Sequence, residues 1–194
     1  MGQIVPQAAT VLSVGTPATT LATGAEAHQV LTFTLGGELF AIGILNVKEI
    51  IEYGQVTEIP MMPSFIRGVI NLRGAVVPVI DLSARFGGSQ SAVGKRTCIV
   101  IVETPTGEEG QRQDIGVVVD AVSEVLDIPP GDVEPPPAFG ARLRTDFIAG
   151  MGRVAGRFVI ILDVTKVLSV DELALLSNLD GAAASTAQHP GHDG

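Results

Sequence analysis

The sequence predicts an all-β chain of two tandem five-stranded barrels with short helices and a C-terminal helix, on three observations. First, 23 glycines and 12 prolines stand among 194 residues. That is well above average usage and favours short elements joined by turns over a bundle of long helices. Second, the apolar residues, 46% of the chain, fall into short runs broken by Gly, Pro, Asn and Asp, the pattern of strands and turns. Third, the chain repeats itself. Phe65, Ile66, Gly68, Gly74, Asp81 and Phe86 match Phe147, Ile148, Gly150, Gly156, Asp163 and Leu168 at an offset of 82 residues. Upstream, Phe40, Val47, Glu49 and Ile50 match Ile115, Val122, Glu124 and Val125 at an offset of 75. The difference of seven residues is an insertion in the second copy's connection, where Pro129, Pro130, Pro135, Pro136 and Pro137 supply stiff, extended backbone. Each copy is read as one barrel of about 70 residues and about five short strands.

Taken in order, residues 1–28 are rich in Ala, Thr, Gly and Val, carry Glu26 as their one formal charge, and follow neither a strand nor a helix period. They are read as a flexible tail that does not contribute to folding. The domain proper is expected over 29–180, as barrels at about 29–92 and 93–168 followed by the C-terminal helix, with a second tail at 181–194. Strands are expected at 29–35 and 38–42, joined by the Gly36-Gly37 hairpin signal. Further strands are expected at 69–72, 75–80, 97–103, 115–119, 122–126, 151–154 and 157–162. The run 47–52 fits strand or helix; as a strand, Val47, Glu49 and Ile51 face one way and Lys48, Ile50 and Glu52 the other. Asp81 and Asp163 each end a strand before a short helix, so each is expected to cap a helix N-terminus. Residues 170–179 read as a helix with Ser169 as N-cap, Glu172 completing a capping box, and Leu173, Leu176 and Leu179 on one stripe.

Composition excludes several function classes. A formal charge of −9 without basic clusters disfavours nucleic acid and anionic membranes as partners. The first cation is Lys48, so the positive n-region of a secretory signal is missing, and no apolar run reaches membrane-spanning length. A cytoplasmic protein is expected. The single Cys98 rules out an internal disulfide and a Cys-rich zinc site. Within an alternating strand it reads as a small buried hydrophobe.

The search for chemistry finds little. His28, His189 and His192 all lie at or beyond the tail boundaries, leaving no core histidine as general base or metal ligand. Gly150, Gly152 and Gly156 resemble a dinucleotide fingerprint, but the last spacing is one residue too long and no helix follows at once. Asp120 and Glu124 have no partner base near them in sequence and read as a solvated face. No enzyme, cofactor or metal site is expected. What remains is a set of apolar and charged residues at barrel rims. Around Asn71, Leu72, Arg73 and Gly74 a hairpin turn presents an arginine, with Gly74 supplying the left-handed conformation. An ion pair from Arg73 to Glu49 would fix that turn.

These residues form a recognisable pattern. The run FTLGGELFAI over 33–42, then Ile44, Leu45, Val47, Glu49 and Ile50, then Pro63, Phe65, Ile66, Gly68, Val69, Asn71, Leu72, Arg73, Gly74, Pro78, Asp81 and Leu82, closely resembles the CheW chemotaxis coupling family. Ile115 to Asp120, Val122, Glu124, Val125 and Leu126, with Ile160 and Leu162, extend the resemblance across roughly 29–178. The resemblance implies two SH3-like five-stranded barrels and a non-enzymatic adaptor. Such an adaptor joins the cytoplasmic tips of methyl-accepting chemoreceptors to the regulatory domain of a CheA-type histidine kinase and helps build receptor arrays at the membrane. Carried over, it implies that Val47, Gly68, Arg73, Gly74 and Val125 serve coupling, with Glu49 supporting Arg73; Ile50, from the mixed aliphatic and charged run 47–52, is counted with them as a partner-binding residue. The 28-residue lead-in is longer than the family's usual one. The lack of a receiver domain speaks against the CheV type, and the lack of a kinase segment against CheA. The alternative reading is a β-barrel regulatory module binding a small ligand between its two barrels.

Overall fold

A computed structural model of the chain describes residues 28–105, 111–136 and 145–169. In chain order the elements are β1 His28–Leu35, β2 Glu38–Gly43, β3 Val47–Glu52, β4 Ile66–Leu72, β5 Ala75–Asp81, α1 Leu82–Arg85, β6 Cys98–Pro105, β7 Arg112–Val119, β8 Ala121–Ile128, β9 Val133–Glu134, β10 Ile148–Val154, β11 Arg157–Leu162 and α2 Val164–Val167. The ambiguous run 47–52 is a strand of alternating exposure, but Val47, Glu49 and Ile51 do not share one face as expected. The register shifts between Val47 and Glu49, so Val47 packs on the inter-sheet core opposite Val102 while Glu49 and Ile51 lie opposite Ile101 and Ile99 on the other side. The two helices start where expected: Asp81 accepts from the Ala84 amide and Asp163 from the Thr165 and Lys166 amides. The expected N-terminal tail ends one residue too late, since His28 opens β1 and pairs with Ile128; residues 1–27, the C-terminal tail and the helix expected over 170–179 lie outside the described residues.

The strands form two sheets. One has the order β3-β6-β7-β5-β4, the other β8-β1-β2-β11-β10-β9. The all-β, two-sheet class is as the sequence predicts, but the sheets do not divide at 92/93. The hairpin β1–β2 lies in the sheet built mainly from the second copy, between β8 and β11, while β6 and β7 complete the sheet of β3, β4 and β5. Each copy therefore gives its first hairpin to the other. The links explain why. β7 and β8 are separated by Asp120 alone, and β2 and β3 by the single 3-10 turn Ile44–Asn46. A hairpin return takes at least two loop residues, so β7 runs straight on into β8 across the two sheets. Parallel pairs then close each sheet, Val79 opposite Gly116 and Ile160 opposite Phe40.

This exchange buries both faces of several strands. On β6, Ile99 and Ile101 face the interior of the five-stranded sheet with Ile70, Val77, Val79 and Val118. Val100 and Val102 face the opposite way, into the largest core cluster. That cluster lies between the sheets and contains Leu31, Phe33 and Phe40 from one, Ile80, Ile115 and Val117 from the other, and Leu82 and Val164 from the two helices. Phe33, Phe40, Phe86 and Phe147 run through it with ring centroids 5.9 to 6.3 Å apart. A third cluster, with Val30, Ala41, Ile128, Val159 and Ile161, fills the interior of the six-stranded sheet. Continuous apolar runs such as 99–102 are thus two-faced core strands.

Candidate partner-binding surface

The two outer strands of the five-stranded sheet are β3 and β4. Leu72 and Ala75 are paired across a two-residue turn in which Arg73 has φ 50° and Gly74 φ 90°. Both central residues are left-handed, as a type I′ turn requires. The sequence argument assigned that conformation to Gly74 alone. Asn71 Oδ1 accepts the Gly74 amide at 2.8 Å, which steadies the turn. From it the Arg73 guanidinium reaches Glu49 on β3 in a two-pronged pair, Nη1 to Oε1 at 2.6 Å and Nη2 to Oε2 at 2.7 Å. The expected ion pair is present, and it ties one outer strand to the turn beyond the other. The hydrogen bond to Glu49, reinforced by its charge, raises the Arg73 pKa further. Two exposed aliphatics are near neighbours in the chain, Ile50 at 42%, on the face of β3 opposite Glu49, and Val76 at 72%, two residues beyond the turn.

The other expected site residues are placed differently. Val47 is half-buried and packs against the inter-sheet core. Val125 is exposed on β8, in the other sheet. Gly68 is buried and offers no surface. Its φ is 137°, and a Cβ there would lie 2.1 Å from the Thr57 carbonyl oxygen. Thr57 and Val69 exchange amide–carbonyl bonds at 2.9 Å in both directions, so Gly68 admits the 53–65 segment against β4. Gly150 does the same for β9, with Val133 Cγ1 2.6 Å from its would-be Cβ. Glu124 occupies the place of Glu49 in the second copy, but Ala155 stands where Arg73 does. The ion pair therefore belongs to the first copy.

Two expectations need correction. Cys98 is half-buried, not fully enclosed, with Sγ 3.2 Å from the Arg96 carbonyl oxygen, because it opens β6 where the strand enters the core. Asp120 is not a merely solvated carboxylate: its Oδ2 accepts the Gly36 amide at 2.7 Å and braces the β1–β2 turn. Sequence reasoning also missed a buried hub. Asp81, fully enclosed, accepts from Arg67 Nε at 3.0 Å and from the Ser91 amide at 2.7 Å. Nothing in the local pattern marked Arg67 as its partner. Exposed Leu45 at 96%, Met61 at 95% and Phe158 at 54% were missed as well. On the outer faces of β3, β6 and β7, Lys48 bridges Asp114 and Glu103, and Arg112 pairs with Glu103. The bond to Asp114 raises the Lys48 pKa, and the bond to Arg112 lowers that of Glu103.

The space between the sheets bears on small-molecule binding. The cavity lined there by Ile42, Leu82, Val102, Leu162 and Val167 has a volume of about 10 Å³, roughly the room of one water. Packed core leaves that cavity too small for a ligand. No cluster of three or more His, Cys, Asp or Glu able to hold a metal occurs among them either, and no helix among them is long and apolar enough to cross a membrane.

Residues 29–172 match the family model of the CheW-like domain. The chain belongs to the CheW-like family. It is 40% identical over 152 residues to the chemotaxis protein CheW of Klebsiella aerogenes, covering 78% of this chain and 88% of that one. It is 31% identical over 159 residues to CheW of Treponema pallidum, covering 82% and 92%. Among solved structures, the crystal structure of the scaffolding protein TtCheW from Thermoanaerobacter tengcongensis is similar at a TM-score of 0.65 and 36% identity, over 75% of this chain and 90% of that one. The CheW-like match spans all the sheet residues that place Glu49 and Arg73 together.

Proposed function

We propose that this CheW-like chain is a non-enzymatic adaptor that couples methyl-accepting chemoreceptors to the regulatory domain of a CheA-type histidine kinase. The observation that carries the reading is the Arg73–Glu49 pair, with exposed Val76 two residues beyond its turn, in a chain similar to chemotaxis proteins along most of its length. An exposed ion pair contributes only about 0–1 kcal/mol to stability, whereas a preformed turn next to apolar residues suits a protein contact, since its ordering cost is already met. Gly74 belongs to that turn, and Gly68 acts from beneath by seating the 53–65 segment. Val125, in the other sheet, belongs to a second contact, so the two barrels divide the partners between them.

The test is kinase stimulation in membranes containing receptor, kinase and this protein. Arg73→Ala should melt within about 4 °C of the parent, as a loss below 1 kcal/mol allows, yet lose most receptor-dependent stimulation. Normal stimulation by the folded variant would refute the assignment.

A further inference from the structure

The two copies treat one position in opposite ways. In the first, Arg67 is the bulged residue of β4, between the pairs Ile66–Ile80 and Gly68–Val79. Its guanidinium turns in to Asp81 Oδ2 at 3.0 Å and to Gln90 Oε1 at 3.2 Å, and also donates to the Ser91 carbonyl. In the second, Ala149 is the bulged residue of β10, between Ile148–Leu162 and Gly150–Ile161. The surrounding backbone repeats: the Asp81 amide donates to the Phe65 carbonyl at 2.7 Å and the Asp163 amide to that of Phe147 at 2.8 Å. Ala149 and Asp163 therefore stand as Arg67 and Asp81 do, without the arginine.

Where the second copy lacks the arginine, an open cavity of about 820 Å³ lies at the end of the six-stranded sheet with Ala149 and Asp163 in its wall; in the first copy Arg67 itself walls a smaller one of about 510 Å³. Val30, Val133 and Ile161 form apolar walls, and Asp127 and His28 lie at the mouth. Asp163 Oδ1 is engaged by the Thr165 hydroxyl and amide. Among the described residues Oδ2 meets the Lys166 ammonium, at 3.5 Å, and that lysine side chain is 60% exposed. An exposed pair of this kind is easily displaced. We infer that this cavity binds the guanidinium of an arginine side chain presented by a partner polypeptide, with Asp163 taking the part that Asp81 plays for Arg67. The chemistry is shared with free guanidinium compounds. A polypeptide source is favoured because Leu45, 96% exposed, stands on the cavity rim and offers apolar contact to a neighbouring residue. Lysine fits less well, since its point charge lacks the planar fork that Arg67 uses in the first copy. The inference is independent of the adaptor reading and is read on the isolated chain.

The experiment is amide NMR titration of the full chain with acetyl-Arg-amide, its neutral citrulline isostere, and acetyl-Leu-Arg-Leu-amide. Saturable shifts at Gly43, Gly150 and Asp163 are expected with the arginine compounds, at least tenfold weaker with citrulline. Asp163→Asn, which keeps a helix-capping side chain, should weaken arginine binding at least tenfold. Ala149→Arg, which restores the first copy's arrangement, should abolish it and raise the melting temperature. The Leu-containing peptide should bind more tightly than acetyl-Arg-amide, and Leu45→Ala should remove the difference. No saturable shift in the full chain, as when its own C-terminal segment fills the cavity, overturns the inference. So do equal shifts with citrulline or undiminished binding in Ala149→Arg. Equal affinity of peptide and single residue overturns the polypeptide source.

Discussion

Val47 and Val125 flank the acidic residues Glu49 and Glu124 in the two copies, but their surroundings differ. Val47 packs on the inter-sheet core, whereas Val125 is 49% exposed. Aspartate at 47 would put an unpaired charge against apolar side chains, at a cost of about 2–4 kcal/mol. Aspartate at 125 meets water. Val47→Asp should therefore lower the urea midpoint clearly, and Val125→Asp should leave it unchanged while weakening capture of one partner, kinase or receptor fragment. Equal midpoints for both variants would contradict the assigned burial. Simple alternation gave the facing of residues 49–52 but not that of Val47, because the register shift before Glu49 turns Val47 to the other side, opposite Val102. It could not rank the burial of Val47 against Val125, because that depends on which sheet covers which strand.

At the scale of elements, glycine decides where a strand can be crossed. Gly68 and Gly150 occupy one bulge in the two copies, and each lies under a passing backbone or side chain. At Gly68 the clash is with backbone, and the left-handed φ adds strain, so Gly68→Ala should cost about 1–3 kcal/mol or more. Faster amide exchange at Val69 and Thr57 would report release of the 53–65 segment; unchanged exchange would argue against this role. Electrostatics adds an acid limit. Burial would raise the Asp163 pKa, but the Thr165 hydroxyl bond, the Lys166 amide and the Lys166 charge together lower it below the ordinary 3.8. Its bond to Arg112 likewise lowers Glu103 below 4.5. A carboxylate depressed on folding stabilises the protein above its unfolded pKa, and that share is lost as pH falls through the folded value. Melting temperature should hold from pH 7 to about 4.5 and then fall, less steeply in Asp163→Asn. An identical acid limb in that variant would remove Asp163 from the account. Both caps were legible as an Asp between a strand and a helical pattern. Arg67 was not, because its partners Asp81 and Ser91 are distant in sequence and meet only in the folded sheet.

For the whole molecule, the repeat was legible and its assembly was not. Offsets of 82 and 75 residues locate the copies, and the sites that recur within them, the bulge glycines, the left-handed turn at Ala155 and Gly156, and the capping aspartates, agree with the offsets. The reciprocal hairpin exchange left a local trace only in the one-residue link at Asp120, too short for a return. A consequence separates contiguous from exchanged barrels. If each barrel were a contiguous half, residues 1–92 and 93–194 would each fold alone. With exchange, the first fragment keeps β3, β4 and β5 but lacks β6 and β7, and the second lacks β1 and β2. Each would expose most of the inter-sheet cluster, including Phe33 and Phe40 in one and Val100 and Val117 in the other. Uncovering a large aliphatic or aromatic side chain costs about 1.5–3 kcal/mol, and several such losses exceed the ~5–15 kcal/mol stability of an ordinary domain. Neither fragment should show a cooperative melt alone. Mixed in equal amounts they should associate and recover one, since every pairing except the covalent link at 92/93 can re-form. A cooperative melt of residues 1–92 alone would contradict the exchanged topology.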